Sequence, residues 1–228
     1  RGVTVDENYD EETEVKVTRV IIESKNSARV LGKPIGTYIT LEAPAMALPD
    51  EEYHKEISDE LARQLRAIIP GMDEEISVMV VGLGNRDVTA DALGPNVVDN
   101  LTITRHMVKE FGKAAYGKSK VHMTSGLVPG VMAKTGMETA EIIKGVVEKT
   151  KPDVVVVVDA LAARSTRRLN RTIQVTNTGI HPGSGVGNHR NSITRESLGV
   201  PVIAIGVPTV VDAATLVNDA LEKVLHSI

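Results

Sequence analysis

Two aspartates stand where an α/β protein keeps its chemistry. Asp159 follows the pure valine run Val154–Val158, and Asp91 closes the polar stretch GLGNRDVTAD that leaves the apolar run ISVMVVG (76–82). Such short, nearly all-apolar runs read as strands covered on both faces, as in a parallel sheet. In an open parallel sheet, ligands and catalytic groups gather at the carboxyl ends of the strands. Each aspartate alone also suits a helix N-cap. Together at one edge, two carboxylates can share a proton, one acting as base on water while the other acts as acid. Asp91, placed before a helix, is the expected ionised base, because the helix N-terminus favours a negative charge. Asp159, behind its valines, is the expected protonated partner, because desolvation favours the neutral acid. Gly84 and Asn85 in the Asp91 loop are the expected substrate-binding groups at the same edge.

Other patterns fail a context test. GKAAYGKS (112–119) matches a phosphate-binding loop letter for letter. That loop must leave a strand and open a helix, whose N–H groups hold the phosphate. Here a helix ending at Phe111 precedes it and the strand VHMTS (121–125) follows, so no nucleotide site is expected. Gly82-Leu83-Gly84 lacks the third glycine of a dinucleotide fingerprint, since Asp87 stands there. The glycine-dense GIHPGSGVGN (179–188) suits wrapping a ligand backbone or a plain surface loop, and His181 within it is a substrate-binding candidate. Pro182 spoils the G-x-S-x-G elbow of hydrolases, and His181 with His189 has no recognised metal spacing, so neither metal nor cofactor is expected. Arg164, Arg167, Arg168 and Arg171 would share one side of a helix following Asp159. They form either a solvated face or a clamp for an acidic substrate.

The elements that must hold these residues are legible as strands over 14–22, 36–43, 76–82, 121–125, 153–159 and 201–207, with helices over 50–69, 92–110, 136–149 and 211–226. Asp50 caps the first helix and Pro70-Gly71 stops it; Thr135 and Glu138 have capping-box spacing for the third. The last helix carries Ala213, Leu216, Val217, Ala220, Leu221, Val224 and Leu225 on one stripe. Residues 1–12 read as a loose, acidic end. The alternation predicts a three-layer α/β/α fold with a mostly parallel central sheet, as a single domain over 1–228.

Composition narrows the function classes. The 228 residues include no Cys, which excludes disulfides and thiolate nucleophiles. Lys plus Arg number 26 against 30 Asp plus Glu, and one Phe, four Tyr and no Trp make a poor base-stacking platform, so no nucleic-acid partner is expected. No apolar run approaches the roughly 20 residues that span a bilayer, and RGVTVDENYDEETE has no apolar signal-peptide core. A cytoplasmic setting and no membrane partner are the expectation.

Several long segments in fixed order resemble one family. GLGNRDVTADALGP (82–95), PGVMAKTGMETAEII (129–143), VVDALAARS (157–165), TGIHPGSGVGN (178–188) and PVIAIGVPTVVDAATL (201–216) look like the germination protease of spore-forming bacteria. GKPIGTYITLEAPA (32–45) extends the likeness upstream. The resemblance implies an endopeptidase that degrades small acid-soluble spore proteins in the spore core, an atypical aspartic protease related in fold to the hydrogenase maturation proteases. It places the two functional aspartates on Asp91 and Asp159. It also implies cleavage beside Glu, with Arg164 the arginine nearest to Asp159 in sequence and the first choice as cationic partner. A zymogen that loses an amino-terminal propeptide, a tetrameric assembly and a carboxyl-terminal extension beyond Ile228 are implied too; a start at Arg1 suits either processing or trimming. Two alternatives share the pattern. One is a metal-assisted maturation protease, with Asp91, Asp159 and a histidine around the ion. The other is a module that binds extended peptide without cutting it.

Overall fold

The computed structural model describes residues 2–117, 120–182 and 191–225. The chain opens with β1 (Val3–Tyr9), β2 (Lys16–Ile22), α1 (Lys25–Leu31) and β3 (Gly36–Glu42), followed by the long α2 (Glu51–Ile68). Then come β4 (Ser77–Gly82), α3 (Leu93–Asp99), α4 (Arg105–Phe111), β5 (Met123–Leu127), α5 (Met132–Thr135) and α6 (Thr139–Thr150). The chain continues with β6 (Val154–Ala163), β7 (Thr172–Thr176), α7 (Arg195–Leu198), β8 (Val202–Val211) and α8 (Ala213–Leu225). The strands form one sheet in the order β1-β2-β3-β7-β8-β6-β4-β5.

The class is α/β, but the sheet is mixed rather than mostly parallel. Strands β5, β4, β6 and β8 run parallel, while β8–β7, β7–β3, β3–β2 and β2–β1 are antiparallel. Two strands that the sequence pattern does not announce account for it. Residues 1–12, expected as a loose end, supply β1, which pairs with β2 from Val3↔Ile22 to Tyr9↔Lys16 although each of its residues is exposed. TIQVT (172–176), whose alternation is too short to stand out, becomes β7 and joins the two halves.

Side chains alternate across the sheet and so sort into two cores. Val78, Val80, Val154, Val156 and Val158 pack with Ile57, Leu61 and Leu65 of α2 and with Val97 and Val98 of α3. Met79, Val81, Val155 and Val157 pack on the other face with Ile143 and Val147 of α6 and Leu198 of α7. Each fully buried Val, Leu or Ile side chain adds about 1.5–3 kcal/mol, so these two layers fix the parallel strands in place. Asp50 caps α2 as expected, its Oδ1 accepting from the Tyr53 N–H at 3.0 Å.

Four boundaries differ from the sequence expectation. The helix over 92–110 breaks into α3 and α4, because Thr104 turns to the outer flank of β5. Its N–H donates to the Thr124 carbonyl at 3.1 Å and its Oγ1 accepts from the Thr124 N–H at 2.9 Å. The capping box lies one turn late, at Glu138 and Glu141, after the short α5. Strand β5 starts and ends two residues beyond VHMTS. Finally, no helix follows Asp159. Strand β6 runs on through Ala160–Ala163 and then gives only a 3-10 turn at Thr166–Arg168, so the four arginines share no helix face. Ala160–Ala163 pair with Val207–Val211 of β8, and that partner overrides the strong helix preference of alanine.

α8 presents its apolar stripe outward. Leu216, Val217, Leu221 and Val224 are each more than half exposed, whereas Thr215 and Asp219 turn toward the body. Asp219 Oδ2 accepts from the Thr166 N–H at 2.6 Å, the Thr166 hydroxyl at 2.7 Å and the Ser165 hydroxyl at 3.1 Å. These donors, the Thr166 hydroxyl foremost, hold the Asp219 carboxyl below the ordinary carboxylate range. The helix is thus anchored by hydrogen bonds rather than by its hydrophobic face.

Candidate active site

β4 stops at Gly82, opposite Val158, while its neighbour β6 continues to Ala163. A notch opens above the end of β4, bounded on one side by the flank of β6. The chain leaving β4 enters it at once, since the Leu83 N–H donates to the Val158 carbonyl at 2.8 Å. Both candidate residues belong to segments at this end of the strands: Asp91 packs on Gly84, two residues past Gly82, and Asp159 follows Val158. Asp159 is the sixth of the ten residues of β6, not its terminus, and it is buried. Its Oδ1 accepts from the Ala160 N–H at 3.0 Å. Backbone groups of successive strand residues alternate sides, so the Ala160 N–H points to the same flank as the Val158 carbonyl. That contact draws the Asp159 carboxylate to the flank β4 has left.

Asp91 ends a 3-10 turn, Thr89–Asp91, just before α3. Its Oδ2 accepts from the Asn85 N–H at 2.7 Å, so Gly84, Asn85 and Asp91 form one closed loop. Gly84 is required there: its φ is +110°, and a Cβ would fall 2.0 Å from the Asp91 carbonyl oxygen. The turn is tied to the sheet by Thr209 of β8, whose hydroxyl donates to the Ala90 carbonyl at 2.6 Å. α3 then sits directly on the strand ends. A Cβ on Gly94 would meet the Leu83 nitrogen at 2.5 Å and the Val158 oxygen at 2.6 Å. These buried backbone contacts fix the loop far more firmly than its surface pairs do.

Those surface pairs are Arg86 with Asp99 of α3 and Asp87 with Lys134 of α5. Each partner is close to half exposed or more, and exposed pairs contribute only about 0–1 kcal/mol. Hydrogen bonding to Lys134 lowers the Asp87 pKa, and hydrogen bonding to Arg86 lowers that of Asp99. Both acids are thereby favoured in the charged form, and Asp87 also reaches Asn85, its N–H donating to Asn85 Oδ1 at 3.1 Å.

The remaining candidates lie farther out. Arg164 is exposed beyond the end of β6, five residues and therefore about 16 Å of strand rise from Asp159. His181 is exposed and follows the bridge between Ile180 and Ile193. β7 runs against β8, with Thr176 opposite Ala204, so this segment leaves the sheet toward its amino edge. Most of the glycine-dense stretch, 183–190, lies outside the described residues, as do Lys118 and Ser119 of GKAAYGKS. The described part of that motif is preceded by α4 and followed by β5, the wrong order for a phosphate loop. Among the described residues no three His, Asp or Glu side chains cluster as a metal site. No helix among them is long and apolar enough to cross a membrane. Thr209, Ala160 and Lys134 support the site without any sequence signal; each is ordinary in its own segment and acquires its role only through the fold.

The chain matches the family model described as germination protease over residues 1–228. The germination protease of Caldanaerobacter subterraneus subsp. tengcongensis is 48% identical over 227 residues, spanning 100% of this chain and 68% of that protein. That of Clostridium perfringens is 50% identical over 224 residues, spanning 98% of this chain and 68% of the relative. That of Bacillus cytotoxicus is 44% identical over 227 residues, spanning 99% of this chain and 60% of the relative.

Proposed function

The chain belongs to the germination protease family, and from that membership we propose that it cuts small acid-soluble spore proteins in the spore core with an aspartate pair, Asp91 and Asp159. That it is a peptidase follows from the family; substrate, location and mechanism are the proposal. The observation that carries the mechanism is the Asp159 carboxylate on the Ala160 N–H, turned to the notch above β4 that the Asp91 loop borders. In the proposed reaction Asp91 takes a proton from water and the water oxygen bonds to the scissile carbonyl carbon. Asp159 gives its proton or a hydrogen bond to the carbonyl oxygen. The C–N bond then breaks, the leaving nitrogen takes up a proton, and a carboxylic acid and an amine remain. The base and acid roles are proposed for the dyad as a unit rather than for either residue alone. Gly84 and Asn85 line the Asp91 side of the same edge, and His181 is kept as a more distant substrate contact. The exposed apolar stripe of α8 supports self-association, proposed as the tetramer that the resemblance implies. Incubation with purified small acid-soluble spore proteins, with products mapped by mass spectrometry, tests the reading. Discrete internal cuts are expected, and intact substrate after prolonged incubation overturns it.

Arg164 bears on substrate choice. Its distance along β6 means that an acidic side chain it binds lies several residues from the scissile bond. Its exposure puts the contact at the weak end of charge-assisted hydrogen bonds, about 1.5 kcal/mol. Arg164→Ala is expected to lower kcat/KM about tenfold on substrates with a glutamate at that remove. An unaltered preference would move the clamp to Arg167 or Arg168.

A further inference from the structure

β6 is longer than the strand beside it, and among the described residues the difference leaves one flank of its second half without a strand partner. Its pairing with β4 ends at Val158, but its pairing with β8 continues to Ala163↔Val211. The Val155 N–H donates toward β8, to the Pro201 carbonyl, while the Val158 carbonyl accepts from Leu83 on the β4 side. The register shift between Leu161 and Ala162 skips Thr209, so the irregularity belongs to β8 and β6 keeps its pleat. By strand alternation the N–H and C=O groups of Ala160 and Ala162 therefore face the vacated flank. Among the described residues no strand pairs there, and Ala160, Leu161 and Ala162 are all half-buried.

An open strand flank is a template for another strand, held by main-chain bonds. Here the side chains allow close approach. Ala160 and Ala162 are small, and Leu161 folds away over Gly206, where a Cβ would fall 2.3 Å from Leu161 Cδ1. The flank is short, borders the Asp91 loop, and begins at the amide that the Asp159 carboxylate already engages. We propose that the substrate binds as an added strand along Ala160–Ala163, in line with β4, with its scissile bond beside Asp159. The bound class is an extended, locally unstructured polypeptide segment read mainly through its backbone. With the Ala160 N–H engaged by Asp159, the Ala160 carbonyl and the Ala162 N–H are the groups that hold it. Residues farther along the added strand run toward Arg164, which unites backbone docking with the distant acidic contact. This inference rests on the peptidase reading above.

The test uses a synthetic peptide spanning one bond mapped in the spore-protein digestion, N-methylated at one amide at a time outside the scissile bond. Strand addition predicts a period of two: kcat/KM falls about tenfold or more at alternate residues on one side of the bond and changes little between them. Ala162→Pro removes only the donor on an open strand flank, where proline is tolerated, and is expected to lower kcat/KM about tenfold on the parent peptide. The methylation scan needs no variant enzyme, so it decides the matter even if that variant folds poorly. A scan without alternation overturns strand addition while cleavage of the parent leaves the peptidase reading intact. Spore proteins left intact in that digestion overturn the peptidase reading, and strand addition with it.

Discussion

Asp91→Asn and Asp159→Asn each fold normally and lose about a thousandfold or more in kcat/KM. The folding half of this expectation comes from the hydrogen bonds. Asp91 is held by accepting the Asn85 N–H and Asp159 by accepting the Ala160 N–H. An asparagine carbonyl oxygen accepts these same two bonds, so the Asn85 and Ala160 N–H groups keep their acceptor. The activity half comes from the chemistry: an amide neither takes a proton from water nor gives one to a carbonyl oxygen. General acid–base catalysis is worth about 10²–10⁴-fold per group, and members of one dyad act as a unit, so either loss removes most of the total. Digestion of spore proteins, run beside thermal melts of both variants, makes the measurement. An Asp159→Asn protein with full activity ends the dyad mechanism, and equal loss of melting temperature and activity would mark the residue as structural.

The second large effect is on stability. Gly94→Ala places a methyl 2.4 Å from the Leu83 carbonyl oxygen, 2.5 Å from its nitrogen and 2.6 Å from the Val158 oxygen. All three atoms are backbone, in the layer where α3 sits on β4 and β6, so no side chain can rotate away. The strand ends or the helix must move, at a cost of about 3 kcal/mol or more. For a chain of this size that is a fall of roughly 6–12 °C in Tm. Movement of α3 also carries Asp91, so activity at permissive temperature falls as well. Gly145→Ala in α6 is the matched control. Nothing lies within 4 Å of its added Cβ, and alanine is the better helix former, so Tm is expected to stay or rise slightly. Equal melting curves for Gly94→Ala and the parent would show that the strand ends yield freely.

These expectations draw unequally on sequence and fold. The amino-acid sequence by itself determined the class of the fold, the long α2 with its Asp50 cap, the three buried apolar strands, and the two aspartates that follow two of them. Local signals suffice there, because uninterrupted valine runs and capping side chains act over a few residues. Tertiary structure decided the rest. Ala160–Ala163 has the composition of a helix start and becomes strand only because β8 lies alongside to bond it. The acidic amino end becomes β1 because β2 offers it seven backbone partners, which composition does not reveal. The direction of the sheet reverses at β7, a five-residue strand whose identity depends on its neighbours on both sides. Arg164, adjacent to the site by sequence count, is carried away from Asp159 by the same extended backbone that opens the flank of β6. Thr209 and Ala90 are brought together across more than a hundred residues by one hydrogen bond. Sequence periodicity reports which faces of an element are buried; which elements meet, and what their unequal lengths leave open, is fixed only when the strands pair.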